Sequence, residues 1–325
     1  MIMELVKVSN NIVQPQNEVG ETTSDQFMKA NTKAVDIDTL SRDCIIPVFS
    51  KSNETIISHQ DFIETAYKMV EFVFKGEQIL KPAIRVSHPV KGRIPEAKHK
   101  SADELQEHEK TLFYERLSFV MDIPTIHDTI GESDLSLSVG GVRALNQENL
   151  HSRKSPEKFK FFIGHKNLIC LNLCVNTDGF QSEIRASNLQ ELGEAILNLI
   201  RNYNAMQEMD KLRQMENYSL SESQFAQLLG KARMFQFLPK KQKKNIQEFP
   251  LMDNQVSQIT KEYYRNSHFS RDSEGHINLW NLYNLFTDAN KSSYIDTFLD
   301  RGMGSTQFIQ ALMKGLNEPG FWYFN

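Results

Sequence analysis

The hydrophobic pattern of the chain changes its period near residue 187. Upstream, apolar and polar residues alternate over segments such as 112–123 and 135–145, and a period of two is typical of β-strands. Downstream, apolar residues recur at intervals of three and four, as in amphipathic α-helices. The sequence therefore predicts an α+β fold. A strand-rich N-terminal part with a mixed or antiparallel sheet is followed by a helical C-terminal part packed on it.

This pattern divides the 325 residues into three regions. Residues 1–40 are polar and hold no sustained period, which predicts a mobile tail. Residues 41–186 predict a strand-rich α+β domain, and residues 187–325 predict a helical domain. A chain of this length has room for two domains of ordinary size.

The strand-rich region also holds helix and turn signals. Ser58 and Asp61 form a capping box that predicts a helix as far as Phe74, and residues 101–110 predict a short capped helix. The Pro and Gly residues of 88–96 predict a loop. The pair Asp178-Gly179 predicts a tight hairpin turn. A further turn is expected at residues 165–167. The predicted strands cover residues 44–49, 55–57, 83–87, 112–123, 135–145, 159–163 and 168–175.

The helical region is densest in signal at residues 275–301. Leu279, Leu282, Tyr283 and Phe286 form one apolar face at helical spacing. The other faces carry three asparagines, whose amides are expected to hold neighbouring loops or, alternatively, to contact a ligand or nucleic-acid bases. The aromatic segment 321–324 is expected to dock into a groove, because exposed aromatic clusters are unfavourable. Other helices are predicted near residues 187–203, 205–215, 219–238, 253–265 and 305–316.

Two charged residues interrupt apolar strand faces. Glu115 lies between apolar residues in 112–123, and Arg143 does so in 135–145. A buried charge without a partner is costly. We therefore predict that Glu115 and Arg143 pair structurally, with each other or with another charge across the sheet. The alternative is a catalytic acid beside an arginine that clamps substrate.

Charge and cysteine content restrict the compartment and the partners. The formal net charge of −4 is uneven, since residues 1–150 hold 16 Lys and Arg against 23 Asp and Glu, whereas residues 151–325 hold 21 against 18. The three cysteines form no CxxC motif, which favours a reducing compartment. Neither a signal peptide nor a membrane-spanning run is evident, so we expect a cytoplasmic protein without membrane contact.

No catalytic motif is present in the sequence. The chain lacks the phosphate-binding GxxxxGK[ST] loop, the dinucleotide-binding GxGxxG loop, the HExxH zinc motif and the GxSxG elbow. Its histidines and cysteines do not occur at ligand spacing, so we expect no metal site and no cofactor. Scattered carboxylates could still assemble a metal-dependent nuclease, and enzyme activity stays open.

Two basic segments are candidates for phosphate contact, because clustered Lys and Arg gain affinity from counterion release. The first is the Pro-containing segment 81–100, and the second is the run KKQKK at 240–244. Tyr114 and Arg116, on the strand face opposite the apolar one, could stack on or clamp a single strand. The candidate nucleic-acid-binding residues are Lys91, Arg93, Lys98, Tyr114, Arg116, Lys240, Lys241, Lys243 and Lys244.

Several blocks together resemble a known family. They include VSHPVKGRIPEA, TLFYERLSF, SVGGVRALNQENL, FFIGHKNLICLNLCVNTDG, QFAQLLGKARMFQFLP and NLWNLYNLFTDANKSSYIDTFLDR. These blocks resemble DUF3871, a domain-of-unknown-function family of Bacteroides-type gut bacteria, over nearly the whole chain after residue 40. A fainter similarity, through Ile169–Asn172 and Trp280–Thr287, links the pattern to a phage- and plasmid-associated family. The resemblance implies no activity and no catalytic residues, but it implies association with mobile genetic elements.

The leading functional hypothesis is a non-enzymatic nucleic-acid-binding accessory protein of a mobile element, with single-stranded DNA as the preferred partner. It depends on the two basic segments converging on one surface. The first alternative is a protein–protein interaction module, for example one acting against host defence. The second is the metal-dependent nuclease.

Overall fold

The computed structural model describes residues 27–46, 56–97, 99–148 and 155–325. The architecture is α+β, as the sequence predicts, with a curled antiparallel sheet in the N-terminal half and helices in the C-terminal half. The strands are β1 (Lys33–Val35), β2 (Ala83–Val86), β3 (Pro89–Arg93), β4 (Lys110–Tyr114), β5 (Arg116–Ile130), β6 (Ser133–Ala144), β7 (Glu157–Asn167), β8 (Leu173–Cys174), β9 (Phe180–Ala186), β10 (Ser219–Leu220) and β11 (Ile277–Asn278). The helices are α1 (Ile37–Asp43), α2 (His59–Val73), α3 (Leu189–Asn202), α4 (Ala205–Arg213), α5 (Glu222–Phe237), α6 (Lys240–Lys243), α7 (Asp253–Arg265), α8 (Leu279–Asn290) and α9 (Ile295–Asn317).

The main sheet has the strand order β1-β2-β5-β6-β7-β8, and β9 also pairs with β7. Its strand pairs are antiparallel. Both β8 and β9 lie along the edge of β7 opposite β6, so they form one interrupted edge strand. The segment Thr177–Gly179 between them is a 3-10 turn. The predicted Asp-Gly hairpin is therefore wrong, because the chain continues in the same direction through this turn.

A two-stranded ribbon, β3 with β4, projects from the start of β5 and is called the arm here (residues 88–114). The sequence predicts a loop over 88–96, but Pro89 is the first residue of strand β3, a position at which proline is tolerated. The predicted strand 112–123 is divided at Glu115, where the chain leaves the arm and enters the main sheet.

One face of the sheet is covered by α2 and α3. Alternate residues of β5, among them Leu117, Phe119 and Met121, pack with these helices in a buried core. The start of α2 is set by the predicted capping box, in which the side chain of Ser58 accepts from the backbone N–H of Asp61. Helix α3 begins after the cap Asn188, within the predicted range 187–203.

The opposite face is covered by the first half of α9 and by residues 27–28. Val120, Val142 and Phe162 of the sheet pack with Phe298 and with neighbouring apolar residues of α9. Phe27 and Met28 are buried in the same cluster. Residues 27–40 thus differ from the predicted mobile tail, since they supply buried side chains, strand β1 and the start of α1.

The C-terminal helices form a second core around α8, which is buried on nearly every side. The four side chains of its predicted apolar face are fully buried, and Trp280 on another face is only 2% exposed. The helices predicted near residues 219–238 and 253–265 are confirmed as α5 and α7, and the buried stripe of α5 ends at Phe235. The aromatic end of the chain docks as expected, with Tyr323 buried against Phe308.

Several local predictions are wrong. Strand β7 continues through residues 165–167, and the turn falls at residues 168–171, so Cys170 lies in the turn and not in a strand with Cys174. Residues 56–57 are not a strand, and residues 101–110 form two 3-10 turns. Residues 47–55, which hold the second half of the predicted strand 44–49 and the first residue of the predicted strand 55–57, lie outside the described residues.

Candidate nucleic-acid interface

The arm carries the first group of predicted phosphate ligands. Lys91 is exposed on β3, whereas Arg93 is half-buried and its guanidinium donates to the backbone carbonyl of Lys100. Lys98 lies outside the described residues. Arg93 is therefore engaged within the arm, and of the two described candidates only Lys91 presents its charge to solvent.

The arm as a whole is not positively charged. Residues 88–114 carry five Lys or Arg and five Asp or Glu. Lys100 forms an ion pair with Glu109, and Lys110 forms one with Glu107. Because counterion release needs a net cationic surface, the arm is a weaker candidate than its basic segment suggests.

Tyr114 and Arg116 are not available in the way the sequence predicts. Tyr114 is 6% exposed and packs in the core between the sheet and α2, so its ring cannot stack on a base. The guanidinium of Arg116 lies 3.5 Å from Glu115 and 3.8 Å from Asp296. Two neighbouring carboxylates already neutralise that charge. The structure removes Tyr114 from the interface and weakens the case for Arg116.

Arg143 and Glu115 do not pair with each other. The guanidinium of Arg143 is fully buried, lies 3.1 Å from the carboxylate of Glu148 and also binds Glu157 and the carbonyl oxygen of Ile57. Burial raises the pKa of Glu157, even though Arg143 acts in the opposite direction. Glu157 stands on the neighbouring strand β7, so Arg143 finds its partner across the sheet. Glu115 instead lies beside Arg116.

Two of the three predicted asparagines, Asn278 and Asn284, have structural roles at α8. Asn278 caps the helix, and its side chain accepts from the backbone N–H of Asn281 at 2.7 Å. Asn284 is 0% exposed and accepts from the side-chain amides of Asn167 and Asn172. These bonds attach the turn after β7 to α8, which is the loop-holding role expected from the sequence. A buried Asn284 cannot reach a nucleic-acid base.

The second basic run forms the short helix α6 at the end of α5. Lys240, Lys241 and Lys244 are exposed, and none of them forms an ion pair with any described residue. Lys243 behaves differently, since its ammonium donates to the backbone carbonyl of Gln236 at 2.8 Å and lies 5.1 Å from the ring centre of Phe235. Lys243 therefore fixes α6 on α5, while its three neighbours face solvent.

The stretch of sequence around α6 is basic and contains no acidic residue. Residues 223–247 contain six Lys or Arg and no Asp or Glu. Arg233 pairs with Asp253 at 2.8 Å, and Lys231 lies 4.7 Å from the ring centre of Trp322. The exposed residues of this surface define the α5–α6 basic patch, which consists of Met234, Phe237, Lys240, Lys241 and Lys244.

Sequence reasoning missed the apolar members of this patch. Met234 is 57% exposed and Phe237 is 86% exposed. Both lie off the buried stripe of α5, which ends at Phe235. An apolar residue outside the stripe of an amphipathic helix was the signal that could have found them.

The arm and the α5–α6 basic patch lie at opposite ends of α9, so they do not converge. Arg116, which follows the arm, is next to Asp296 in the first turn of α9. The patch is next to Trp322, which follows the last turn of α9 and packs on Phe235 of α5. With 23 residues, α9 is about 34 Å long at 1.5 Å per residue. A single nucleic-acid track across both segments is not formed.

The described residues hold no group of three or more His, Cys, Asp or Glu that could bind a metal ion. Within the same ranges, none of the helices combines the length and apolar content needed to cross a membrane.

Comparison with known proteins identifies a family for this chain. A family model described as "Domain of unknown function, B. Theta Gene description (DUF3871)" matches residues 7–323. No curated protein and no solved structure matches the chain.

Proposed function

We propose, from the premise that this chain belongs to the DUF3871 family, that it is a non-enzymatic nucleic-acid-binding protein whose contact surface is the α5–α6 basic patch. The observation that carries the proposal is the set of exposed, unpaired lysines Lys240, Lys241 and Lys244 in a stretch without acidic residues. We further propose, from the resemblance of its sequence blocks, that it acts in the cytoplasm as an accessory protein of a mobile element.

The physical basis is electrostatic. Each phosphate that a lysine neutralises releases condensed counterions, so binding weakens steeply as salt rises. Lysines that are already paired with carboxylates contribute little to this effect, which is why the arm is left out. Lys240, Lys241 and Lys244 form no ion pair with any described residue, so their ammonium groups are available to a ligand.

The proposal is tested by the salt dependence of binding to a labelled single-stranded oligonucleotide. The triple variant Lys240→Gln, Lys241→Gln, Lys244→Gln removes three phosphate contacts. At about 0.7 per contact for single strands, the slope of log K against log salt should become shallower by roughly 2. The matched control, Lys33→Gln, Lys68→Gln, Lys75→Gln, changes the net charge equally at exposed positions on the sheet, on α2 and just after α2.

Two results would reject the proposal. One is a wild-type protein that does not bind nucleic acid at low salt. The other is an equal loss of slope in the patch variant and in its matched control, because binding would then follow net charge and not the patch. A further variant, Lys91→Gln with Arg93→Gln, tests the arm, for which we expect a change of slope of at most about 1.

A protein–protein interaction module is the second candidate, and the exposed apolar side chains Met234 and Phe237 favour it. Such a partner would carry acidic residues around an apolar centre, as charge complementarity requires. Binding to this partner in place of nucleic acid would give a weaker salt dependence, since no condensed counterions are released. The metal-dependent nuclease has no supporting cluster among the described residues.

A further inference from the structure

We infer that the α5–α6 basic patch is built for single-stranded nucleic acid, with the ring of Phe237 stacking on an unpaired base while Lys240 and Lys241 contact the adjoining phosphates. The inference rests on the proposed function and adds the substrate class. It assigns to Phe237 the aromatic role that the sequence assigned to Tyr114, which is buried.

The exposure of Phe237 is the first observation. At 86%, it is the most exposed of the large hydrophobic side chains in the described residues. Large aromatic residues usually bury most of their surface. Met234, one turn earlier on the same helix, is 57% exposed and extends the apolar surface. These two side chains therefore form an apolar site that the rest of the described chain does not cover.

The second observation is the fixed position of the lysines relative to this ring. Helix α5 ends at Phe237, and Pro239 precedes α6, so the charged run begins three residues after the ring. Lys243 holds α6 against the end of α5 through the carbonyl oxygen of Gln236 and the ring of Phe235. The backbone of the lysine run is thereby held at the end of the helix that carries the ring.

The combination discriminates between nucleic-acid forms. A single strand offers the faces of its bases, and aromatic side chains between basic residues are the usual way to bind it without sequence preference. In a duplex the base faces are already stacked on each other, so an isolated ring gains a contact only by unstacking a step. Lysines alone would bind both forms, whereas stacking on the ring increases the affinity only for the single strand.

The test compares a fluorescein-labelled oligothymidylate with a duplex of equal length, at one salt concentration and over a salt series. We expect Phe237→Ala and Phe237→Leu to weaken single-strand binding roughly tenfold or more, which corresponds to about 1.4 kcal/mol of stacking. Neither variant should change duplex binding or the salt slope. Phe237→Trp should retain affinity, and its indole fluorescence should be quenched when thymine bases stack on it.

The two proposals fail in different ways. If the wild type binds single strand and duplex equally and Phe237→Ala binds like the wild type, the stacking inference is wrong and the proposed function stands. If Phe237→Leu keeps full affinity, the contact is apolar and not aromatic, which also overturns the inference. Absence of binding to either form rejects the proposed function itself. Because Phe237 is exposed, we expect unchanged unfolding midpoints for its variants, and this measurement separates a binding defect from misfolding.

Discussion

At the residue scale, Asn284 determines how the turn after β7 is attached to the helical core. Its side-chain oxygen accepts from the amides of Asn167 and Asn172 at 3.3 and 3.4 Å, and its own amide donates to the carbonyl of Trp280 at 3.0 Å. Asn167 in turn accepts from two backbone N–H groups of the turn. The turn contains Leu171 at φ 58°, a backbone conformation that is uncommon for leucine. These amide contacts compensate for that strain.

We expect Asn284→Ala to destabilise the protein by about 1–3 kcal/mol, because it leaves the buried side-chain amide of Asn167 without its acceptor. The amide of Asn172 keeps only its bond to the backbone carbonyl oxygen of residue 284. The measurement is urea-induced unfolding. Asn281→Ala on the same helix is the control, since Asn281 is only partly buried and alanine has the higher helix propensity. An equal effect of both substitutions would show that helix propensity, and not the amide network, decides stability here.

Buried histidines make a second residue-scale contribution, through pH. Burial, with the nearby charge of Arg143, lowers the pKa of His59 to about 3, and burial lowers the pKa of His165 to about 4. In the unfolded chain histidine titrates near 6.5. The unfolded state therefore takes up protons first as the pH falls below about 6.5. Stability is lost from that pH down to about 4 for His165 and down to about 3 for His59.

We expect each of these histidines to remove about 2 kcal/mol of stability between pH 7 and pH 5. His59→Gln should abolish the contribution of His59, so the fall in unfolding free energy between pH 7 and pH 5 should be smaller by about 2 kcal/mol. Glutamine can still donate to the carbonyl of Tyr114, to which His59 is bonded at 2.7 Å. His88→Gln, at an exposed position, controls for the loss of an imidazole. An unchanged pH dependence in His59→Gln would contradict the prediction.

At the scale of elements, glycines have opposite roles in a strand and in a helix. A Cβ on Gly140 of β6 would collide with the carbonyl oxygen of Phe119 on β5, so only glycine permits these strands to approach. Gly230 stands inside α5 on its exposed side, and a Cβ there would meet nothing within 4 Å. The first glycine is required by packing, whereas the second only weakens its helix.

Gly230→Ala should stabilise the protein by about 0.5–1 kcal/mol, which is the difference in helix propensity at an unconstrained position. Gly140→Ala should destabilise it by at least about 2 kcal/mol through overpacking. Thermal or urea unfolding of the two variants measures whether each change in the free energy of unfolding is a gain or a loss. A stabilised Gly140→Ala variant, or a destabilised Gly230→Ala variant, would contradict this account of the two elements.

Sequence patterns predict an element well where buried positions recur at a regular spacing along it. They predict poorly where a segment passes from one sheet to another or turns without glycine or proline. Helix α5 and the apolar face of α8 are confirmed, because each helix has a face that is buried along its whole length. Strand 112–123 was read as continuous because alternation persists across Glu115, although the two halves belong to different sheets. The turn at 168–171 contains no glycine or proline to indicate it.

The candidate site was predicted in part for a similar reason. Charge composition correctly indicated that residues 240–244 are basic and exposed except for Lys243, which local contacts draw onto α5. It could not indicate that the acids of residues 101–109 fold against the basic segment of the arm. Nor could it place Tyr114 in the core, because alternation does not reveal which face of a strand is also covered.

At the scale of the whole molecule, α9 takes part in both cores. Its first half packs on the sheet through Phe298 and Leu299, and its second half packs among the C-terminal helices through Phe308 and Leu312. Helix α3 likewise follows residue 186 in the chain but packs on the sheet beside α2. Each of the two predicted domains therefore depends on surfaces that the other supplies.

Producing residues 27–186 and 187–325 as separate fragments tests whether the two predicted domains depend on each other. The first fragment would lack α3 and α9 and would leave apolar residues on both faces of its sheet in water, so we expect it to be insoluble when made alone. Made together in one cell, the two fragments should rescue each other and purify as a stoichiometric complex. A soluble, cooperatively unfolding first fragment would contradict this expectation, and a working pair would offer a split reporter whose halves reunite without any covalent link.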